Sequence, residues 1–222
     1  MEKTDLLWKQ IFEIFFADLL EHAVPDLRGQ LLFEGAFCLE PAALGLGFEK
    51  ETASRGFELV AEVPHHRQEH CLVLAQVVTW PGSVTGLEAR LERNYRRLSL
   101  GLRRPVMPVV VHLSERPRMG ALAGKTRGRK SRSAGLDRRC LVRGDAGVEL
   151  FRLDYRSVDL SAARAECHLG RSRLAPALAS RMCSAVWSPA ELQLECMAAV
   201  LASELRAEWQ ELLLRAIEAP RV

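Results

Sequence analysis

Arg55–Trp80, RGFELVAEVPHHRQEHCLVLAQVVTW, is the stretch on which the reading of the fold turns. It reads as two β-strands, Phe57–Val63 and Cys71–Val78, joined by the polar segment PHHRQEH, where Pro64 and the charged residues break the apolar pattern. The first strand alternates around Glu58, Val60 and Glu62. The second, LVLAQVV, is apolar on both faces except for Gln76, the pattern of a strand buried inside a sheet. A buried amide without partners costs about 1–3 kcal/mol, so Gln76 is expected to be hydrogen-bonded or to belong to a site. A carboxylate on one strand beside an amide on the next points to a former or weakened metal site.

Working outward, apolar residues at Leu7, Trp8, Ile11, Phe12, Phe15, Leu19 and Leu20 recur every three or four positions from Asp5 to about His22, which predicts one amphipathic helix ended by Val24-Pro25. Residues 28–55 read as a connection carrying short elements. After Trp80, a turn leads to a capping box of Thr85 and Glu88 and a helix with Leu87, Leu91, Tyr95 and Leu98 as its buried stripe. Arg90, Arg93, Arg96 and Arg97 lie beside that stripe. Val106–Leu113 is short, apolar and β-branched, as expected of a central or parallel strand reached through a crossover helix.

The next stretch, Ser114–Arg143, is the most basic in the chain. Arg116, Arg118, Lys125, Arg127, Arg129, Lys130, Arg132, Arg138, Arg139 and Arg143 stand against only Glu115 and Asp137, with glycines between. The expectation is a flexible basic loop, either merely solvated or using phosphate as its counter-ion. Val148–Leu153 and Ser157–Leu160 read as a last strand and its exit. From Ser161 the pattern is helical: SAARAECHL, RLAPALASRMCS, and a segment opened by Ser188, Pro189 and Glu191 whose stripe is Leu194, Met197, Ala198, Leu201 and Leu205, continued by Trp209, Leu212, Leu213 and Ile217. The fold class is therefore α/β: a core over 1–160 containing the basic loop 114–143, and a C-terminal helical segment over 161–222 that packs on or extends it.

At 222 residues and 48% hydrophobic, the chain can bury a full core. A net charge of +3 is too mild to name a partner. Six cysteines scattered without a CxxC pair, and no signal-peptide pattern, favour reduced thiols in a cytoplasm. No apolar run approaches the roughly 20 residues that a membrane span needs. Gly120–Thr126, GALAGKT, has three residues between its glycines where a phosphate loop needs four. His66–His70, HRQEH, matches a zinc pattern that works only on a helix, but it follows Pro64 between two strands and so reads as a solvated connection. His112 closes an apolar strand as a core histidine would. Cys71 and Cys196 sit in apolar patterns as packing residues.

The run TDLLWKQIFEIFFADLLEHAVPDL resembles the opening of the recombination-promoting nuclease (transposase-type) family of the PD-(D/E)XK nuclease superfamily. The likeness continues in order through RGFELVAEV, LVLAQVV, LEARLERNYRRL, RRPVMPVVVHL, FRLDYRSVDL, LAPALAS and ELQLECM, and lapses over 114–143. It implies a restriction-endonuclease-like core, a mixed sheet flanked by helices, in a cytoplasmic protein of bacterial type acting on DNA. In that superfamily an acidic residue on one strand and an acidic-x-basic or glutamine pair on the next hold a divalent ion.

On that resemblance Glu58 stands for the first acid, Gln76 for the second and Val78 for the basic residue, while Leu74 takes the place of a histidine often found before the second acid. The catalytic pair Glu58 and Gln76 is then degenerate, and Glu58 alone would hold magnesium weakly, since Mg²⁺ demands near-ideal oxygen geometry. Glu13, Glu49 or Glu51 are candidate replacement carboxylates. Three functions follow as expectations. The first is a catalytically impaired nuclease-fold protein that binds DNA through Arg90, Arg93, Arg96 and Arg97 and through Lys125, Arg127, Arg129, Lys130 and Arg132. The second is a working endonuclease using Mg²⁺ as cofactor. The third is a scaffold whose C-terminal helices bind a protein partner or a second copy of the chain.

Overall fold

The computed structural model describes residues 3–40, 44, 56–67, 70–79, 87–113, 136–143, 149–160 and 162–219, with the backbone alone over 136–143 and 149–152. Within them lie strands β1 (Phe37–Leu39), β2 (Gly56–Val63), β3 (Cys71–Val78), β4 (Val106–His112), β5 (Leu136–Arg143) and β6 (Glu149–Asp159). The helices are α1 (Lys3–Ile14), α2 (Phe16–Ala23), α3 (Leu87–Leu102), α4 (Ala175–Ala179), α5 (Pro189–Leu201) and α6 (Ala207–Glu218). One mixed sheet has the order β1-β2-β3-β4-β6-β5. β1, β2 and β3 run antiparallel in turn, β4 lies parallel between β3 and β6, and β5 returns antiparallel on the far edge.

The apolar pattern explains the layering. Leu72 through Val78 are all buried, because β3 is covered on both faces. Its odd-numbered residues Val73, Ala75 and Val77 join Leu59, Val109, Val111 and Val158 in one core shared with α1, α2 and α4 to α6. The even-numbered Leu72, Leu74 and Val78 join Val60, Val110, Leu153 and Tyr155 under Leu87, Leu91 and Leu98 of α3. The expected crossover helix thus covers one face, and the N-terminal helices share the other with the C-terminal segment, which packs on the core rather than extending away from it. Phe12 meets Phe57 with ring centroids 6.1 Å apart, and Phe15 meets Trp209 edge-on at 5.7 Å.

Several boundaries differ from expectation. The single helix over Asp5–His22 is two, interrupted at Phe15, whose ring is buried against α6 and under the Arg173 guanidinium. The loop expected over 114–143 is a strand at its end, where 136–143 pairs with β6 from Leu136↔Ser157 onward. Charged residues Asp137, Arg138 and Arg139 hid a period of two, and an edge strand tolerates such charges because only one of its sides is paired. The last strand is continuous through Asp154-Tyr155-Arg156 because those polar groups find partners: Tyr155 donates to Glu88 at 3.0 Å and Arg156 reaches Asp26 at 2.8 Å. SAARAECHL forms only a 3-10 turn at Ala165–Cys167, and RLAPALASRMCS only the short α4. The capping box of α5 is as read: Ser188 Oγ accepts from Glu191 N at 3.4 Å while Glu191 Oε2 accepts from Ser188 N at 2.8 Å. Its expected stripe is not: the helix is rotated so that Leu192, Cys196 and Val200, four residues apart, face the core, and Leu194, Ala198 and Leu201 are exposed. The Thr85 cap lies outside the described residues.

Residues 64–67 are no helix, so the zinc pattern fails at its first histidine. The His66 amide bonds Gln30 O at 2.9 Å, and His70 pairs with Glu62 at 2.5 Å beside Arg104 at 3.0 Å. No helix among the described residues is long and apolar enough to cross a membrane.

A histidine pair, His22 buried and His168 half-buried, pins α2 to the C-terminal segment. His22 Nδ1 lies 3.2 Å from His168 Nδ1, one donating and one accepting, while His22 Nε2 lies 2.9 Å from Ser172 Oγ. Burial first, and then the neighbouring His168 and Arg171, hold His22 down to about 4. The unfolded chain therefore takes up this proton near pH 6.5 and the folded chain only near 4. Stability present above pH 6.5 should be lost as pH falls through that window, by up to about 3 kcal/mol at roughly 1.4 kcal/mol per unit. Melting temperatures from pH 7.5 to 5 should fall for the wild type and fall less for His22→Gln. Equal losses would place the acid sensitivity elsewhere.

Candidate functional site

Glu58 and Gln76 are Cα partners in the antiparallel β2–β3 ladder, so they face each other on the α3 side of the sheet. Directly opposed residues hold their Cβ atoms about 4.5–5.5 Å apart. Gln76 is 2% exposed, flanked along its strand by buried Leu74 and Val78. The amide that drew attention in the sequence does have a partner, supplied by the helix above. With the amide oriented to suit its neighbours, Gln76 Oε1 accepts from both Nε and Nη2 of Arg90, each at 3.2 Å. The opposite orientation would aim NH₂ at two N–H groups, which the network rules out.

Arg90 is thereby turned inward, unlike the surface role expected of it. One turn of α3 separates it from Leu87, whose side chain is buried in the helix–sheet core, so the same face that packs the helix delivers the guanidinium. Arg93 and Arg96 are exposed and Arg97 is half-buried, and Arg96 pairs with Glu92 at 2.9 Å. Lys125, Arg127, Arg129, Lys130 and Arg132 lie outside the described residues, as do Glu49 and Glu51. Glu13 belongs to the other side of the sheet: it is on α1, exposed, 3.7 Å from Lys9, and with burial it helps push the Cys38 thiol up to about 12. It does not join Glu58.

Next to the Glu58–Gln76 row lies a second: Gly56 opposite Val78, Val78 beside His112, and His112 beside Asp159 on the parallel strands β4 and β6. His112 is buried, as a core histidine is. Its neighbour Asp159 was invisible to sequence reasoning, because nothing in the chain announces that β4 and β6 pair in that register. Gly56 is fixed by space. Its φ is +146°, and an added Cβ would stand 2.3 Å from the Val77 carbonyl oxygen, so no other residue fits there without moving β3.

These donors suit a divalent ion poorly. Glu58 offers one carboxylate, Gln76 offers an uncharged oxygen already accepting two N–H groups, and Val78 offers nothing. Among the described residues, no three His, Cys, Asp or Glu side chains gather as ligands would. A cation bound by Gln76 Oε1 would also face the guanidinium at close range, a repulsion of roughly 4 kcal/mol per unit charge at about 4 Å.

Replacing Gln76 by Leu should strand two Arg90 donors at the edge of the core and destabilise the protein by about 1–3 kcal/mol. Adding Arg90→Met should recover much of that loss, so urea unfolding of the two single variants and the double variant should give a clear coupling energy. Strictly additive losses would mean that the two side chains do not depend on each other. No protein-family model, curated protein or solved structure matches this chain.

Proposed function

We propose that this is a nuclease-fold DNA-binding protein of the recombination-promoting, transposase-associated type in which metal-dependent cleavage has been lost. One observation carries the reading: the position resembling the first metal-binding acid and the position resembling the second face each other in register, yet the second is an amide engaged by an arginine. The paired-strand framework of the superfamily site is what this arrangement resembles, while its charge pattern is that of a site with no need for a metal. The mixed sheet with helices on both faces agrees with a restriction-endonuclease-like core.

DNA would lie across α3, where Arg93, Arg96 and Arg97 follow one another along the helix, and would meet the basic stretch 114–143. Such contacts act on phosphates and are blind to sequence. A second reading, a protein-docking scaffold, draws on α5, which exposes Leu194 and Leu201 seven positions apart on one side. The working endonuclease would need a carboxylate from outside the described residues. Magnesium-dependent plasmid nicking abolished by Glu58→Ala would establish it and overturn the impaired reading.

Neutralising Lys125, Arg127, Arg129, Lys130 and Arg132 together should weaken binding to unrelated duplexes alike. It should also flatten the dependence of log K on log salt by about 0.9 per phosphate contact removed. Fluorescence anisotropy over a salt series measures both. An unchanged slope would remove the stretch from the binding surface.

A further inference from the structure

We propose that Arg90 is the resident cation of the Glu58–Gln76 site: its guanidinium stands in for the divalent ion and makes the rim of the α3–sheet interface, where Arg90 and Glu58 are both partly exposed, a metal-independent binding site for a phosphodiester. The phosphodiester half of the proposal rests on the DNA-binding reading above; the replacement of the metal does not.

The argument begins with the two hydrogen bonds to Gln76. Both are received by one neutral oxygen, so they fix the plane of the guanidinium without cancelling any of its charge. A guanidinium has five N–H donors in a rigid fork, and Gln76 uses two of them. Gln76 is buried and cannot move away, since Leu74 and Val78 hold its strand between two packed layers. An arginine anchored at a fixed angle on a rigid strand is suited to an oxyanion, whose oxygens match the fork and whose binding then costs little side-chain ordering.

Charge balance supports the same assignment. A pair of carboxylates on adjacent strands would need a doubly charged ion between them. Here one carboxylate, Glu58, lies across the ladder from an amide, and a single fixed positive charge suffices. The uncharged glutamine is then explained: Arg90, Glu58 and Gln76 together carry no net charge, whereas a glutamate at position 76 would make the group net negative and repel an incoming phosphate. Glu58 also acquires a definite expected effect. Under this arrangement it opposes an anion, so removing it should favour binding, whereas in a metal site its removal would abolish the ion.

The test has two arms on the full chain. In the first, a labelled duplex oligonucleotide is titrated in EDTA and again in magnesium. Equal affinities are expected, with Arg90→Ala weaker by about tenfold and its salt slope reduced by about one, and with Glu58→Ala binding at least as tightly as the wild type. Binding that requires magnesium, or that Glu58→Ala abolishes, would overturn the proposal. In the second arm, melting temperature is followed with and without magnesium. The wild type should show no shift, Arg90→Ala should gain a stabilising shift, and Arg90→Ala with Glu58→Ala should lose it again. If Arg90→Ala does not fold, Gln76→Glu takes its place. Its new carboxylate should pair with Arg90 and leave melting indifferent to magnesium, and a magnesium-dependent shift would show that the ion displaces the arginine. Absence of duplex binding by the wild type in every buffer would refute the DNA-binding reading together with the phosphodiester half of this proposal, while the melting arm still decides whether Arg90 occupies the metal's place.

Discussion

Burial of β3 on both faces is the constraint from which the rest of the structure follows. A strand with helices above and below has no solvent to satisfy a polar side chain, so Gln76 must be met from within the protein or it weakens the core. Among the described residues α3 is the helix that covers that face of the sheet, and its registration is set by Leu87, Leu91 and Leu98 sinking into the apolar layer. Arg90 arrives over Gln76 as a result of that packing. The hydrogen-bonded pair is therefore coupled to the docking of the helix, and the helix is in turn the crossover that allows β3 and β4 to lie parallel.

Much of this was legible because it rests on local periodicity. LVLAQVV could be read as a doubly buried strand, VMPVVVH as its parallel neighbour, and Ser188-Pro189-x-Glu191 as a helix start, since each pattern lies within a few residues. Glu58 facing Gln76 was also within reach, because a short antiparallel connection leaves few registers to choose from. What escaped needs two distant segments at once. Arg90 looked like its neighbours Arg93, Arg96 and Arg97 until the helix was rotated onto the sheet. Asp159 gained a neighbour in His112 only through the parallel β4–β6 register. LDRRCLVR hid its strand because an edge strand can carry the charges of a loop.

Under the proposed function, an amide at the second acid's position does not leave a metal site simply empty. It would make room for a cation that the chain itself supplies, and a side chain held by covalent bonds needs no free ion concentration to stay bound. Such an exchange would change what the site can do. A metal ion can ionise water and bind the departing oxygen, whereas a guanidinium holds its protons and can only attract and orient. Recognition can outlast cleavage on the same two strands.

The pairing of β5 with β6 also decides which backbone groups the sheet leaves open. β6 is paired on both sides, by β4 and by β5, so among the described residues the outer row on this side of the sheet belongs to β5. An open row of N–H and C=O groups is a template for a strand from another molecule, and edges that are charged or broken by a bulge resist such pairing. β5 carries Asp137, Arg138, Arg139 and Arg143 along its length and loses regular register between Val142 and Arg143. The charges that disguised it as a loop thus guard the sheet against growing from one molecule into the next.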